Sequence, residues 1–271
     1  MDDQFEGGYG DGMRVVSLDP AATEILCRMG GEALLVGRSA GCDWPVSVSR
    51  VPVVRLGDDE TLRSLAPDVV LAGDAPLAAS AEIVRVAPAS FADVLDECLR
   101  VGRAVGLASA AERTMVEMRE AWWTAVDHVA PFAREPEVLF LDGVDPLTVG
   151  GAWIPHLIQT AGGRHSLNAQ GASRRLVTAE EILEAAPERV VVCLRGKDLA
   201  AHHAEMAALT RHSWWPLLPA VLDGPGRVAL VDGRAMFHRA GPRLVDAFRF
   251  LVGWINGVPE LIPPDFPWES R

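Results

Sequence analysis

The sequence is short of cysteine, short of basic residues and free of long apolar runs. Its four cysteines, Cys27, Cys42, Cys98 and Cys193, are far apart and form no C-x-x-C pair. That spacing argues against a disulfide framework and for reduced thiols in a core. Lysine and arginine number 25 against 37 aspartates and glutamates, a net charge of −12. Nucleic acid and anionic membrane both require a basic surface, so neither is an expected partner. No stretch approaches the ~18 consecutive apolar residues of a spanning helix, so no membrane insertion is expected. There is no G-x-S-x-G, no G-x-x-x-x-G-K-[ST] and no G-x-G-x-x-G. Hydrolase, nucleotide-binding and dehydrogenase chemistry therefore have no support, and no catalytic residue is assigned.

The first twelve residues, MDDQFEGGYGDG, are acidic and glycine-rich. They are the reverse of a signal peptide, which has a basic start and an apolar run, and they read as a disordered tail. On this reading the chain is cytoplasmic, unless a leader has been removed and it works outside the cytoplasm.

What is present is ample core, with 49 % hydrophobic and 23 % charged residues over 271 positions. The chain is organised around Ser109 to Ala130, SAAERTMVEMREAWWTAVDHVA. This reads as one helix of about 21 residues, roughly 32 Å long. Ser109 and Glu112 have the spacing of a capping box, and Pro131 marks the stop. Met115, Met118, Trp122, Val126 and Val129 form an apolar stripe. Trp122 and Trp123 are expected to anchor the helix by packing.

The segments on either side of this helix share one plan. Residues 14–18 and 137–141 read as strands, each leading into a loop, a short helix and Gly-Gly, at Gly30-Gly31 and Gly162-Gly163. Further on, D58-D-E-T-L-R-S-L-A-P-D-V-V-L-A aligns with T178-A-E-E-I-L-E-A-A-P-E-R-V-V-V. Caps Asp58 and Thr178 coincide, as do Glu60 and Glu180, and the Ala-Pro breaks at 66–67 and 186–187. Alternating strands and helices, repeated, predict an α/β protein of two similar Rossmann-like lobes with mostly parallel sheets. The boundaries are 13–108 for the first lobe, 109–130 for the connecting helix and 131–271 for the second lobe. The proline-rich C-terminal segment is expected to pack irregularly. Two such lobes imply a ligand cleft between them, lined by loops at the carboxyl ends of the strands.

Those loops hold Trp44, Trp153, Phe237, His238 and Arg239, a set suited to a large, flat, partly apolar ligand. Arg239 and Arg243 are either ligand contacts or surface charges near a helix start. His238 is equally a ligand contact or a hydrogen-bonded structural residue. Glu60 and Glu180 either complement a helix dipole or form two acidic knobs that dock on a basic partner. His202, His203 and His212, or Cys193, have no metal-site spacing, so no metal ligand is assigned. Trp214-Trp215 reads as packing under the second lobe.

Six segments in order carry a family resemblance: RVVSLDPAATEILCRMGG, CDWP, ETLRSLAPDVVLAG, VGGAWIPHLIQTAGG, TAEEILEAAPERVVV and VDGRAMFHRAGPRLVDAF. Over about residues 13–255 the chain resembles the class III substrate-binding proteins of ABC importers, whose lobes are joined by a helical backbone. The BtuF-like, cobalamin-binding branch is nearest. The resemblance implies non-catalytic capture of a corrinoid, a ferric siderophore, haem or another metal chelate, with no intrinsic cofactor and a monomeric chain. It gives Trp44 a stacking role and Arg239 a ligand contact, and it places Glu60 and Glu180 against arginines of a permease. It also marks departures. Val54 and Arg174 stand where the family has aromatic residues near the two glutamates, and Ala235 stands where it has an acidic ligand contact. Arg174 with Arg175, Arg239 and Arg243 would suit an anionic chelate. A third reading is a cytosolic enzyme or chaperone handling a corrinoid or metal through His238 or Cys42.

Overall fold

The computed structural model describes residues 12–55, 57–74, 80–131 and 134–271. Apart from Gly12, the expected N-terminal tail lies outside the described residues. The described chain falls into two compact units, one within Met1–Pro88 and Ala92–Glu117, the other within Ala89–Phe91 and Met118–Arg271.

The first unit contains β1 (Val15–Ser17), α1 (Pro20–Arg28), β2 (Leu35–Arg38), α2 (Asp59–Ser64), β3 (Val69–Ala72), β4 (Glu82–Arg85) and most of α3 (Phe91–Ala104). Its four strands form an all-parallel sheet in the order β2-β1-β3-β4. Continuous apolar runs such as VVLA at β3 suit a strand buried on both faces, and all four of its residues are buried. Asp19 caps α1 by accepting from Ala22 N at 2.9 Å, with Pro20 in the first turn. Asp58 caps α2 in the same way through Thr61 N at 3.0 Å. Val16, Val54, Leu62, Val70 and Ala72 close the core around the sheet.

Next in the chain is α4 (Ala108–Val126). Gly106, at φ 76°, ends α3 in the left-handed region, and Leu107 O takes the first bond of the new helix from Ala111 N at 2.9 Å. Ser109 therefore lies inside the first turn and is not the cap. The far end tightens into three-residue turns, His128 N to Ala125 O and Val129 N to Val126 O, short of Pro131. Ala111, Thr114, Met118, Trp122 and Ala125 make the buried stripe. Trp122 is sandwiched between Phe91 and Phe248, at centroid distances of 4.2 and 3.7 Å. Trp123 is 58 % exposed, so only one of the two tryptophans anchors the helix.

The second unit contains β5 (Val138–Val144), β6 (Leu147–Val149), α5 (Ile154–Thr160), β7 (Arg175–Leu176), α6 (Ala179–Ala185), β8 (Arg189–Val192), α7 (Leu199–Leu209), α8 (Pro219–Leu222), β9 (Val228–Val231), α9 (Leu244–Asn256) and β10 (Trp268–Ser270). The sheet order is β10-β9-β8-β5-β6-β7. β9, β8 and β5 are parallel; β10 on one side, and β6 then β7 on the other, pair antiparallel. The end of β5 and β6 differ from the expected loop over 142–151, and β10 differs from the expected irregular tail. Their Asp, Gly and Pro content reads as turn, whereas β5 carries on through an irregularity at Leu141–Gly143 into a hairpin. α9 is almost wholly buried, and Phe250 stacks on Phe266 at 4.7 Å. No helix among the described residues is long and apolar enough to cross a membrane.

The internal repeat is present in atomic detail. Ala66 and Ala186 both adopt a left-handed backbone, at φ 39° and 49°, where each helix ends before proline. Asp68 Oδ2 then accepts from Arg14 N at 2.8 Å, and its counterpart Glu188 Oε1 accepts from Glu137 N at 3.4 Å. Each acid ties a strand start to its parallel neighbour.

Candidate functional site

In the second unit, the carboxyl ends of β5, β8 and β9 deliver Asp142, Cys193 to Arg195 and Asp232 to one place. A recess of about 240 Å³ opens there, lined by Gly151, Ala152, Trp153, Ile154, Ser173, Arg174, Arg195 and Phe237. Two glycines let its walls come together. A Cβ on Gly151 would lie 2.5 Å from Ala172 O and from Arg174 N. A Cβ on Gly233 would lie 1.9 Å from Leu194 O, in the turn that carries Arg195. No side chain fits either approach. Ala152 N donates to Ala172 O at 2.6 Å and Gly171 N to Ala152 O at 2.9 Å, which holds the Arg174 segment beside Trp153. The indole itself is fixed, since Trp153 Nε1 donates to Phe237 O at 2.9 Å.

Beneath the recess lies a buried polar network. The Asp142 side chain is 1 % exposed, and three groups converge on it. Arg174 Nη1 is 3.5 Å from Oδ2, Arg195 Nε is 3.6 Å from Oδ1, and His238 Nε2 is 3.4 Å from Oδ1. His238 Nε2 donates to Cys193 O at 2.8 Å. The Cys193 sulfur lies 3.6 Å from the same nitrogen. Burial, then the Arg195 charge, pushes the His238 pKa below its usual value, against the opposing pull of Cys193 O and Asp142. Burial first, then Asp142 and Asp232, pushes the Cys193 thiol well up. This is a neutral imidazole beside a protonated thiol, not an activated pair.

Several expected residues take different positions. Trp153, Arg174 and Phe237 come together at the recess, but the Phe237 ring is 0 % exposed and packs edge-on to Phe140, Phe250 and Phe266. The His238 side chain is 4 % exposed and belongs to the network below. Arg239 is half-buried just after it and is not among the lining residues. Ala235 is buried. His202 is a core residue whose Nε2 accepts from Leu194 N at 2.8 Å and whose Nδ1 faces Asp198 O. Trp214 and Trp215 join the core of this unit. No group of three His, Cys, Asp or Glu side chains among the described residues is placed to hold a metal ion.

In the first unit, Trp44 is half-buried and precedes a cis peptide to Pro45. Its loop is organised from within by Arg38, at the end of β2. The guanidinium donates to Ser39 O at 3.2 Å, Cys42 O at 3.0 Å and Ser49 O at 3.4 Å. Cys42 is fully buried and lies 3.1 Å from Ser39 Oγ. Val54 is core, not wall. Glu60 and Glu180 are both placed at helix starts, one in the first turn of α2 and one in the first turn of α6.

Strand-end loops here gather a fixed indole and two arginines above a buried acid. The periplasmic binding protein family model matches residues 15–222. The chain belongs to the periplasmic binding protein family. It is thus a binding protein of the ABC-importer type. A vitamin B12-binding protein of Photorhabdus laumondii is 25 % identical over 262 residues, covering 92 % of this chain and 90 % of its own. Among solved structures, the periplasmic heme-binding protein BhuT in complex with two hemes is 25 % identical, with a TM-score of 0.74, over 90 % of this chain and 98 % of its own. A periplasmic heme-binding protein from Pseudomonas aeruginosa is 21 % identical, with a TM-score of 0.76, over 96 % and 98 %. These likenesses fix the two-lobed α/β architecture of a class III substrate-binding protein.

Two residues of this binding protein's candidate site escape a reading of the sequence. Asp142 precedes a glycine and reads as a turn; its signal is that it directly follows the apolar run 138–141. Arg195 sits in the equivalent place after β8, and only its position at a strand end marks it. Arg38 could have been found in the same way.

Proposed function

We propose that this protein captures a corrinoid, cobalamin-like ligand without catalysis, as the substrate-binding component of an ABC importer or a relative of one. The observation that carries this is the match to the vitamin B12-binding protein along nearly the whole of both chains. The recess in the second unit supports it, because a fixed indole beside polar side chains suits the face and rim of a macrocycle. Trp44 is proposed as the stacking residue of the first unit. Glu60 and Glu180, at equivalent helix starts, are proposed to meet a permease. A non-catalytic role is supported by the enclosure of His238, Cys193 and Cys42, none of which offers a reactive atom at the surface. The alternative is a ferric siderophore, haem or another metal chelate in the same place. An enzyme or metal chaperone acting through His238 or Cys42 is disfavoured by that enclosure.

Titration of the purified protein with cobalamin, haem and ferric siderophores tests this. Saturable one-to-one binding of a corrinoid is expected. Binding of haem or a siderophore with no corrinoid binding would select the alternative.

A further inference from the structure

We infer that the ligand group received by the second unit is a carboxylate, so that the preferred ligand is a metal macrocycle bearing free carboxylate side chains and not a fully amidated one. This rests on the corrinoid reading above.

Every charged side chain lining the recess is an arginine. Arg174 and Arg195 are 57 % and 52 % exposed, while the single carboxylate they share is 1 % exposed beneath them. Two guanidinium charges against one carboxylate leave a net positive wall. His238 does not add to it, because burial and Arg195 keep its ring neutral. The nearby acids are taken up elsewhere: Asp232 by Arg234 at 2.8 Å, and Glu205 by Lys197.

The pairing is also loose. Asp142 Oδ1 has no hydrogen-bond partner among the described residues: Arg195 reaches it at 3.6 Å as an ion pair only, and Arg174 makes a single long hydrogen bond of 3.5 Å to Oδ2. A buried acid placed this way orients two cations toward the recess without saturating their N–H groups. A guanidinium fork matches a carboxylate in two parallel charge-assisted bonds, whereas an amide oxygen offers neither the charge nor the second acceptor. In a chain of net charge −12, such a patch is also where an anion would be drawn in.

The test compares cobyrinic acid, which carries carboxylates, with cobinamide, an amidated corrinoid that likewise lacks the nucleotide loop. Cobalamin and haem serve as further probes. Binding is measured by absorbance at low and moderate salt. Cobyrinic acid should bind about tenfold or more tightly than cobinamide, with the preference shrinking as salt rises. Arg174→Gln with Arg195→Gln should erase that preference, with cobyrinic acid losing about tenfold or more, and a cooperative thermal melt reports that the variant is folded. Equal affinity of the two corrinoids for the wild type, or a preference that survives the double variant, overturns the inference and leaves the corrinoid reading standing. Haem binding with the same arginine dependence but no corrinoid binding supports the carboxylate and overturns the corrinoid. Binding of no macrocycle overturns both.

Discussion

His238 Nε2 donates to the Cys193 carbonyl at 2.8 Å while standing 3.4 Å from the Asp142 carboxylate. The imidazole is enclosed, and enclosure costs more than the carboxylate returns, so its pKa is lowered. Its usual value is 6.5, so as pH falls below about 6.5 the unfolded chain takes up a proton that the fold resists. Stability should therefore fall with falling pH. His165 acts in the same direction, since burial lowers its pKa as well. Thermal melts from about pH 7.5 down to about pH 5 should show a declining midpoint, with a shallower decline in His238→Gln. An unchanged slope in that variant would remove His238 from the effect.

The two tryptophans of α4 should separate cleanly. Trp122→Ala empties a slot between Phe91 and Phe248 and should cost about 3–5 kcal/mol. Trp123→Ala alters an exposed side chain and should stay within about 0.5 kcal/mol. Urea unfolding of both variants distinguishes them, and comparable losses would contradict the packing described.

Helix starts give a second contrast. Thr178 and Glu181 form a reciprocal capping box at α6, whereas Ser109 lies inside α4. Thr178→Ala should cost about 1 kcal/mol. Ser109→Ala should be neutral or slightly stabilising, since alanine is the better helix former there. A loss at Ser109 equal to that at Thr178 would restore it as a cap.

Gly151→Ala places a Cβ against three backbone atoms of the 172–174 segment, none of which can yield alone. The Arg174 segment must shift, so both the melting temperature and the ligand affinity should drop. A variant with native affinity would show that the recess does not depend on this approach.

If Glu60 and Glu180 meet a permease, Glu60→Ala with Glu180→Ala should leave ligand affinity unchanged and impair uptake in cells. Neither side chain is part of a buried core, so the fold should be indifferent. Normal uptake would remove the docking role.

Much of the fold was legible because local signals agreed with one another. The Ala-Pro breaks at 66–67 and 186–187 announced a repeat, and the backbone is left-handed at both alanines. Asp58 and Thr178 were readable as caps because helix, break and apolar strand came after them at fixed distances. Ser109 misled because serine three residues before glutamate is equally at home inside a helix once glycine has ended the previous one. β6 and β10 were hidden by the turn-rich composition around them, and β7 by its length of two residues, since short strands pair through backbone and need little apolar pattern. The candidate site was the least legible. Trp153 and Arg174 were recognisable, but Asp142 and Arg195 acquire meaning only when β5 and β8 are laid side by side, a relation no local pattern contains.

The central claim is that this binding protein takes up a corrinoid, and calorimetric titration with corrinoids tests it most directly. The account predicts a one-to-one isotherm with a corrinoid, tighter for a carboxylate-bearing corrinoid than for an amidated one. A flat trace with every corrinoid, in a protein that melts cooperatively, would contradict it.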